Sequence, residues 1–206
     1  MSPDNQPDVL LINQGGKQGG VPGTFANSGA ALGRTSGRAV ALADLDNDND
    51  LDVIVIGNNM ITNTLWLNQG SKQGGTPGVF LDSGQRLSDS GGQAVAAADI
   101  DGDDDIDLLI TDGGPSFNHI LLNQGGEQDG VLGIFQAAGE LTCDTGCASL
   151  ALGDLDNDND LDIFFVGGPH PVPAKVLLNQ IREHLSPAAP NATGGRLCRQ
   201  WHARRH

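Results

Sequence analysis

Asp44, Asp46, Asp48, Asp50 and Asp52 set five carboxylates in nine residues. The same alternation returns at Asp99, Asp101, Asp103, Asp105 and Asp107, and again at Asp154, Asp156, Asp158, Asp160 and Asp162. At an effective dielectric of ~20, two like charges ~4–5 Å apart repel by about 3–4 kcal/mol. Three such clusters call for a neutralising partner, and a divalent hard cation supplies one. Ca²⁺ accepts 6–8 oxygens at ~2.3–2.6 Å and tolerates ligands drawn from a loop. A tight loop can turn the side chains at positions 1, 3 and 5 toward one centre. The backbone carbonyl of position 7 (Asp50, Asp105, Asp160) then joins them, and the carboxylate of position 9 closes the shell from the next strand. All fifteen aspartates are therefore candidate metal residues, with one Ca²⁺ expected per loop.

The competing reading is a solvated Asp/Asn turn. A single copy would leave that reading open, whereas three copies in one register weigh against it. An EF-hand begins similarly but needs Glu at position 12. Here that position is Val55, Ile110 or Phe165, inside an apolar run. Mg²⁺ fits less well because it prefers a strict octahedron and keeps its waters. Zn²⁺ lacks a His or Cys in the loops.

Other chemistry is sparse. His119, His170, His184, His202 and His206 are scattered, and no nucleophile–base set stands out. Gly15–Gly20 looks like a phosphate loop but lacks the Gly-x-x-x-x-Gly-Lys-Ser/Thr pattern. Its counterpart Gly126–Gly130 has no basic residue, so a hairpin loop is the expectation. Cys143 and Cys147 are spaced to allow a small disulfide or to remain two thiols. Trp66 is expected to pack rather than to stack on sugar.

The elements that position the aspartates repeat with them. The Asp runs are 55 residues apart, and Asn-Gln pairs recur at Asn13, Asn68, Asn123 and Asn179. Phe25, Phe80 and Phe135 follow the Gly-rich loops. A fixed period of this length signals stacked or radially arranged units. Each unit reads as four short strands, typified by Ala39–Ala43, Val53–Ile56, Thr64–Leu67 and Val79–Leu81. No segment carries a sustained helical period. The units divide into a partial one at 8–35, two complete ones at about 36–90 and 91–145, and a partial one at 146–180. The first contributes only third and fourth strands and the last stops after its third, giving about 13 strands. Rings of such blades usually need 4–8 units. Three readings stay open: a fragment, assembly with copies of itself to complete a propeller, or a small or open array.

Ala41–Gly57 followed by Asn63–Gly70 resembles the FG-GAP/VCBS repeats, among them the calcium-binding blades of integrin α-subunits. The likeness runs over about residues 8–180. It implies an all-β fold, a propeller or partial propeller, with Ca²⁺ held by loop positions 1, 3, 5, 7 and 9. The family usually has Gly at position 6, whereas this chain has Asn49, Asp104 and Asn159. A left-handed backbone is expected there, which Asn and Asp tolerate.

Composition narrows the partners. The 206 residues include 23 Asp and 3 Glu among 26 acidic residues, against 11 Lys and Arg, for a net charge of −15. Such a surface disfavours nucleic acid and anionic membranes. No apolar run approaches the ~18–20 residues of a membrane span. The tail, residues 181–206, holds five of the basic residues and is expected to be disordered. Met1–Asp8 has neither the basic start nor the apolar stretch of a secretory leader. A weak site of roughly 10⁻⁴–10⁻³ M would fill only outside the cell, so an extracellular or cell-surface location is expected. The expected role is a non-catalytic calcium-binding module for adhesion or ligand binding, with a protein or glycan partner. The alternatives are a carbohydrate-binding or accessory module of a larger secreted hydrolase and, last, a metal-dependent enzyme.

Overall fold

The computed structural model describes residues 8–16, 19–33, 37–57, 63–70, 74–76, 78–88, 91–112, 117–125, 130–142, 146–167, 174–179 and 202–203. Every regular element among them is a strand. The order is β1 (Val9–Asn13), β2 (Phe25–Ala31), β3 (Gly37–Ala43), β4 (Asp52–Gly57), β5 (Thr64–Asn68), β6 (Phe80–Arg86) and β7 (Ala94–Ala98). It continues with β8 (Asp107–Thr111), β9 (Phe117–Asn123), β10 (Phe135–Thr142), β11 (Cys147–Gly153), β12 (Asp162–Gly167), β13 (Lys175–Leu178) and β14 (His202–Ala203). β1 and β2 form a two-stranded sheet, and β3–β6, β7–β10 and β11–β14 form three four-stranded antiparallel meanders.

The sheets stack face to face in chain order. Leu10 and Ala30 of the first sheet pack on Val53, Val55, Trp66 and Phe80 of the second. Ile54, Ile56 and Leu65 meet Leu108, Ile110 and Leu121 of the third. Leu109, Ile120 and Leu122 meet Ile163, Phe165 and Leu177 of the fourth. Alternation along β4, β8 and β12 sends successive side chains to opposite junctions. That explains why these strands read as unbroken apolar runs. Four-stranded meanders packed in this way are the units of a propeller-like fold. No core cluster among the described residues joins the first sheet to the last.

Two features depart from the sequence expectation, and a third decides between alternatives that it left open. The fourth strands are longer than Val79–Leu81 implied: β6 runs on through Asp82-Ser83-Gly84. That tripeptide looks like a turn, but the sheet takes it up as an irregularity in the β5–β6 register. Gly84 sits there at φ 75°, with its N–H donating to Asp82 Oδ1 at 2.9 Å. Second, the fourth sheet has a fourth strand. His202 and Ala203 of the basic tail pair with Leu178 and Leu177, while the rest of the tail lies outside the described residues. Third, Cys147 is disulfide-bonded; Cys143 and Cys198 lie outside the described residues.

Trp66 is engaged in packing. It belongs to the junction with the first sheet, and its indole Nε1 donates to Thr64 Oγ1 at 3.1 Å. The Gly-rich loops close on themselves in part. A Cβ on Gly75 or Gly130 would collide with the carbonyl oxygen of Gln69 or Gln124, so these positions admit only glycine. Their basic residues, Lys17 and Lys72, lie outside the described residues.

Candidate metal centres

Each Asp run forms the turn between the first and second strands of its sheet. Position 1 organises it. Asp44 accepts from the N–H groups of Asp48 (2.9 Å) and Asn49 (2.8 Å) through its two carboxylate oxygens. Asp99 does the same for Asp103 and Asp104, and Asp154 for Asp158 and Asn159. The backbone must curl tightly around this carboxylate. It does so through left-handed residues at position 6, Asn49 (φ 70°), Asp104 (φ 70°) and Asn159 (φ 71°). Position 4 is also left-handed: Asn47 (φ 55°), Gly102 (φ 79°) and Asn157 (φ 64°). The sequence reading covers only position 6. The Asn/Gly/Asn usage at position 4 carried the same signal.

The curl brings carboxylates together. Asp44, Asp46 and Asp48 each offer an oxygen within 4.8 Å of the others, as do Asp99, Asp101 and Asp107, and Asp154, Asp156 and Asp162. Two oxygens bound to one ion at ~2.3–2.6 Å lie at most about 5 Å apart, so each triad is compact enough to share one cation. Positions 1 and 3 take part in all three triads, position 5 in the first, and position 9 in the second and third. The side chains of Asp50, Asp103, Asp105, Asp158 and Asp160 fall outside the triads, as does that of Asp52.

Position 9 has a second task. Asp52, Asp107 and Asp162 are completely buried. Asp52 accepts from Leu45 N–H (2.9 Å) and Asn68 N–H (2.8 Å). Asp107 accepts from Ile100 and Asn123, both at 2.9 Å, and Asp162 from Leu155 and Asn179, both at 2.8 Å. One carboxylate thereby ties the Asp loop to the third strand. The recurrent Asn is the other half of this clip, and the sequence showed it only as a marker. Asn68 Oδ1 accepts from Gly78 N–H at 2.9 Å and its Nδ2 donates to Leu51 O at 3.2 Å. It fastens the Gly-rich loop to the Asp loop.

The electrostatics are unresolved by the protein alone. Burial pushes Asp52 up to about 6 and Asp107 up to about 7, against the lowering effect of their backbone hydrogen bonds. Among the described residues, Asp48 Oδ2, Asp50 Oδ2, Asp103 Oδ2 and Asp105 Oδ2 are buried with no hydrogen-bond partner. Acceptor oxygens of this kind are costly to bury bare. Of these, Asp48 belongs to a triad, where a hard cation would satisfy its bare oxygen, so that donor set fits an oxygen-seeking divalent ion; Asp50, Asp103 and Asp105 stand outside the triads. No His or Cys enters any triad, which leaves Zn²⁺ without its usual ligands.

Residues 44–110 match the family described as FG-GAP-like repeat. They span the first two Asp loops and the strands between. That segment is similar to an FG-GAP-like repeat, and the described chain around it is built from antiparallel β-sheets with acidic loops that could hold a metal ion. No curated protein matches the chain.

Proposed function

We propose that this is a non-catalytic calcium-binding repeat module that works outside the cell or at its surface, in adhesion or ligand binding. The observation that carries the reading is the threefold recurrence of one compact oxygen cluster, each in the same hairpin turn of its sheet. Ca²⁺ is the ion of choice because the donors are all oxygen and come from an irregular loop. The expected donors are the side chains at positions 1, 3, 5 and 9 and the carbonyl at position 7. The ion's role is structural: it offsets carboxylate repulsion and fixes the hairpin whose position 9 already clamps the third strand.

Three near-identical loops argue for a shared scaffold task, since a catalytic centre needs one loop to differ. The disulfide at Cys147 suits an oxidising compartment. Trp66, the residue best suited to stack on a sugar, is engaged in the sheet junction.

Calorimetric titration of the chelator-treated chain with Ca²⁺ tests this. About three ions should bind, and thermal melting should fall on addition of EDTA. Asp46→Ala, Asp101→Ala and Asp156→Ala should each remove about one ion. An unchanged count in these variants, or a melting curve indifferent to chelation, would contradict the reading. A glycan array probed with and without Ca²⁺ then separates a carbohydrate ligand from a protein one.

A further inference from the structure

The three junctions between sheets use the same register positions, and the two outermost faces carry those positions bare. Leu11, Trp66, Leu121 and Leu177 are equivalent on the third strands. Trp66, Leu121 and Leu177 each pack against the sheet that precedes their own. Among the described residues no sheet packs on Leu11, which is 55% exposed. Phe25 is equivalent to Phe80 and Phe135, which also pack toward the preceding sheet, yet it is 60% exposed.

The last sheet shows the converse. Leu45 and Ile100, at position 2 of their loops, are covered by the following sheet and are 1% and 2% exposed; Leu155 is 52% exposed. Phe164 is equivalent to Ile54 and Leu109, and Val166 to Ile56 and Thr111. All four counterparts are fully buried, whereas Phe164 and Val166 are exposed. The polar complement repeats as well. Asn123 Nδ2 donates across its junction to Leu45 O at 2.9 Å, and Asn179 Nδ2 to Ile100 O at 3.4 Å. Asn13 holds that register on the leading face and Leu155 on the trailing one.

We propose that the trailing face of one copy, centred on Leu155, Phe164 and Val166, receives the leading face of a second copy, centred on Leu11 and Phe25. The contact reproduces the internal junction between chains. What covers these positions inside the molecule is another unit of the same repeat, and a second copy presents such a unit with its matching side uncovered. The association is head to tail, so it closes only as a ring. The described residues of each copy contribute one two-stranded and three four-stranded sheets, and a pair joined at both ends reaches the roughly 4–8 units from which propeller rings are built. The inference rests on the repeat register and not on the calcium reading, so either can fail without the other.

Sedimentation velocity of the full chain over a wide concentration range is the test. The expected species is a dimer. Phe25→Asp and Phe164→Asp should each give a monomer with an unchanged circular dichroism spectrum and a melting curve that no longer depends on protein concentration. Mixed in equal amounts, the two variants should form a heterodimer, because each keeps the face the other has lost. Larger oligomers that obey the same mixing rule would retain the junction and overturn the two-copy ring. A wild-type chain that stays monomeric, a mixture that stays monomeric, or a single variant that still dimerises would overturn the proposal. Leu11→Lys and Val166→Lys make the same test at independent positions should either Asp variant lose its fold.

Discussion

At the scale of single residues, the aspartates of one loop divide their labour. Asp107 is fully buried and clamps two backbone N–H groups from different parts of the unit. Asp103 accepts one N–H, from Asp105 (3.0 Å), and leaves its other oxygen bare. Removing a buried acceptor strands its donors at about 1–3 kcal/mol each. Asp107→Ala should therefore lower stability by about 2–6 kcal/mol whether or not Ca²⁺ is present, read by denaturant melts. Asp103→Ala strands a single half-buried donor, so it should cost only about 1 kcal/mol in EDTA and more in Ca²⁺. Equal losses for both variants in EDTA would show that position 9 has no separate clamping role. The alternation of Asp marked a candidate metal loop in the sequence because carboxylates crowded this closely repel one another unless something neutralises them. The double role of position 9 was not legible. It depends on which backbone N–H groups the fold delivers to a buried site, and an isolated Asp letter carries no such information.

At the scale of elements, four strands per unit followed from short apolar runs between Gly, Asn and Asp. Their lengths did not, because Asn27-Ser28-Gly29 and Asp82-Ser83-Gly84 have turn chemistry yet lie within β2 and β6. A left-handed glycine lets a strand absorb an extra residue without leaving the sheet. This extension places Gln85 where it can bridge two sheets. Its Nε2 donates to Gly133 O at 2.6 Å and its Oε1 accepts from Phe135 N–H at 2.9 Å. Gln85→Ala removes both bonds from a half-buried junction and should cost about 1–3 kcal/mol. Gln85→Glu keeps the acceptor but sets it against a carbonyl oxygen, so its cost should be at least that of alanine at neutral pH. Paired urea melts of the three proteins would decide. Wild-type stability in Gln85→Ala would mean that apolar contacts alone hold this junction.

At the scale of the whole molecule, the excess of negative charge and the buried carboxylates make stability a function of pH, and the proposed calcium role makes it a function of metal as well. Burial lifts Asp52 to about 6 and Asp107 to about 7 from an ordinary 3.8. The metal-free folded chain consequently binds protons more tightly than the unfolded one. Linkage then requires stability to fall as pH rises between about 4 and 7. The protonated groups' contribution is complete below the unfolded value and is lost as pH passes the folded one. A tenfold change in proton affinity corresponds to ~1.36 kcal/mol. Discounted for screening by nearby solvent, each group is worth on the order of 1–2 kcal/mol over that span. The net charge of −15 acts in the same direction, because deprotonation adds to self-repulsion. Bound Ca²⁺ reverses the slope, since protons then compete with the ion for the same oxygens. Thermal melts at pH 5 and pH 7.5 should therefore rank pH 5 higher in EDTA and pH 7.5 higher in saturating Ca²⁺. The same ranking in both buffers would mean that the buried carboxylates are not the groups through which the ion stabilises the fold.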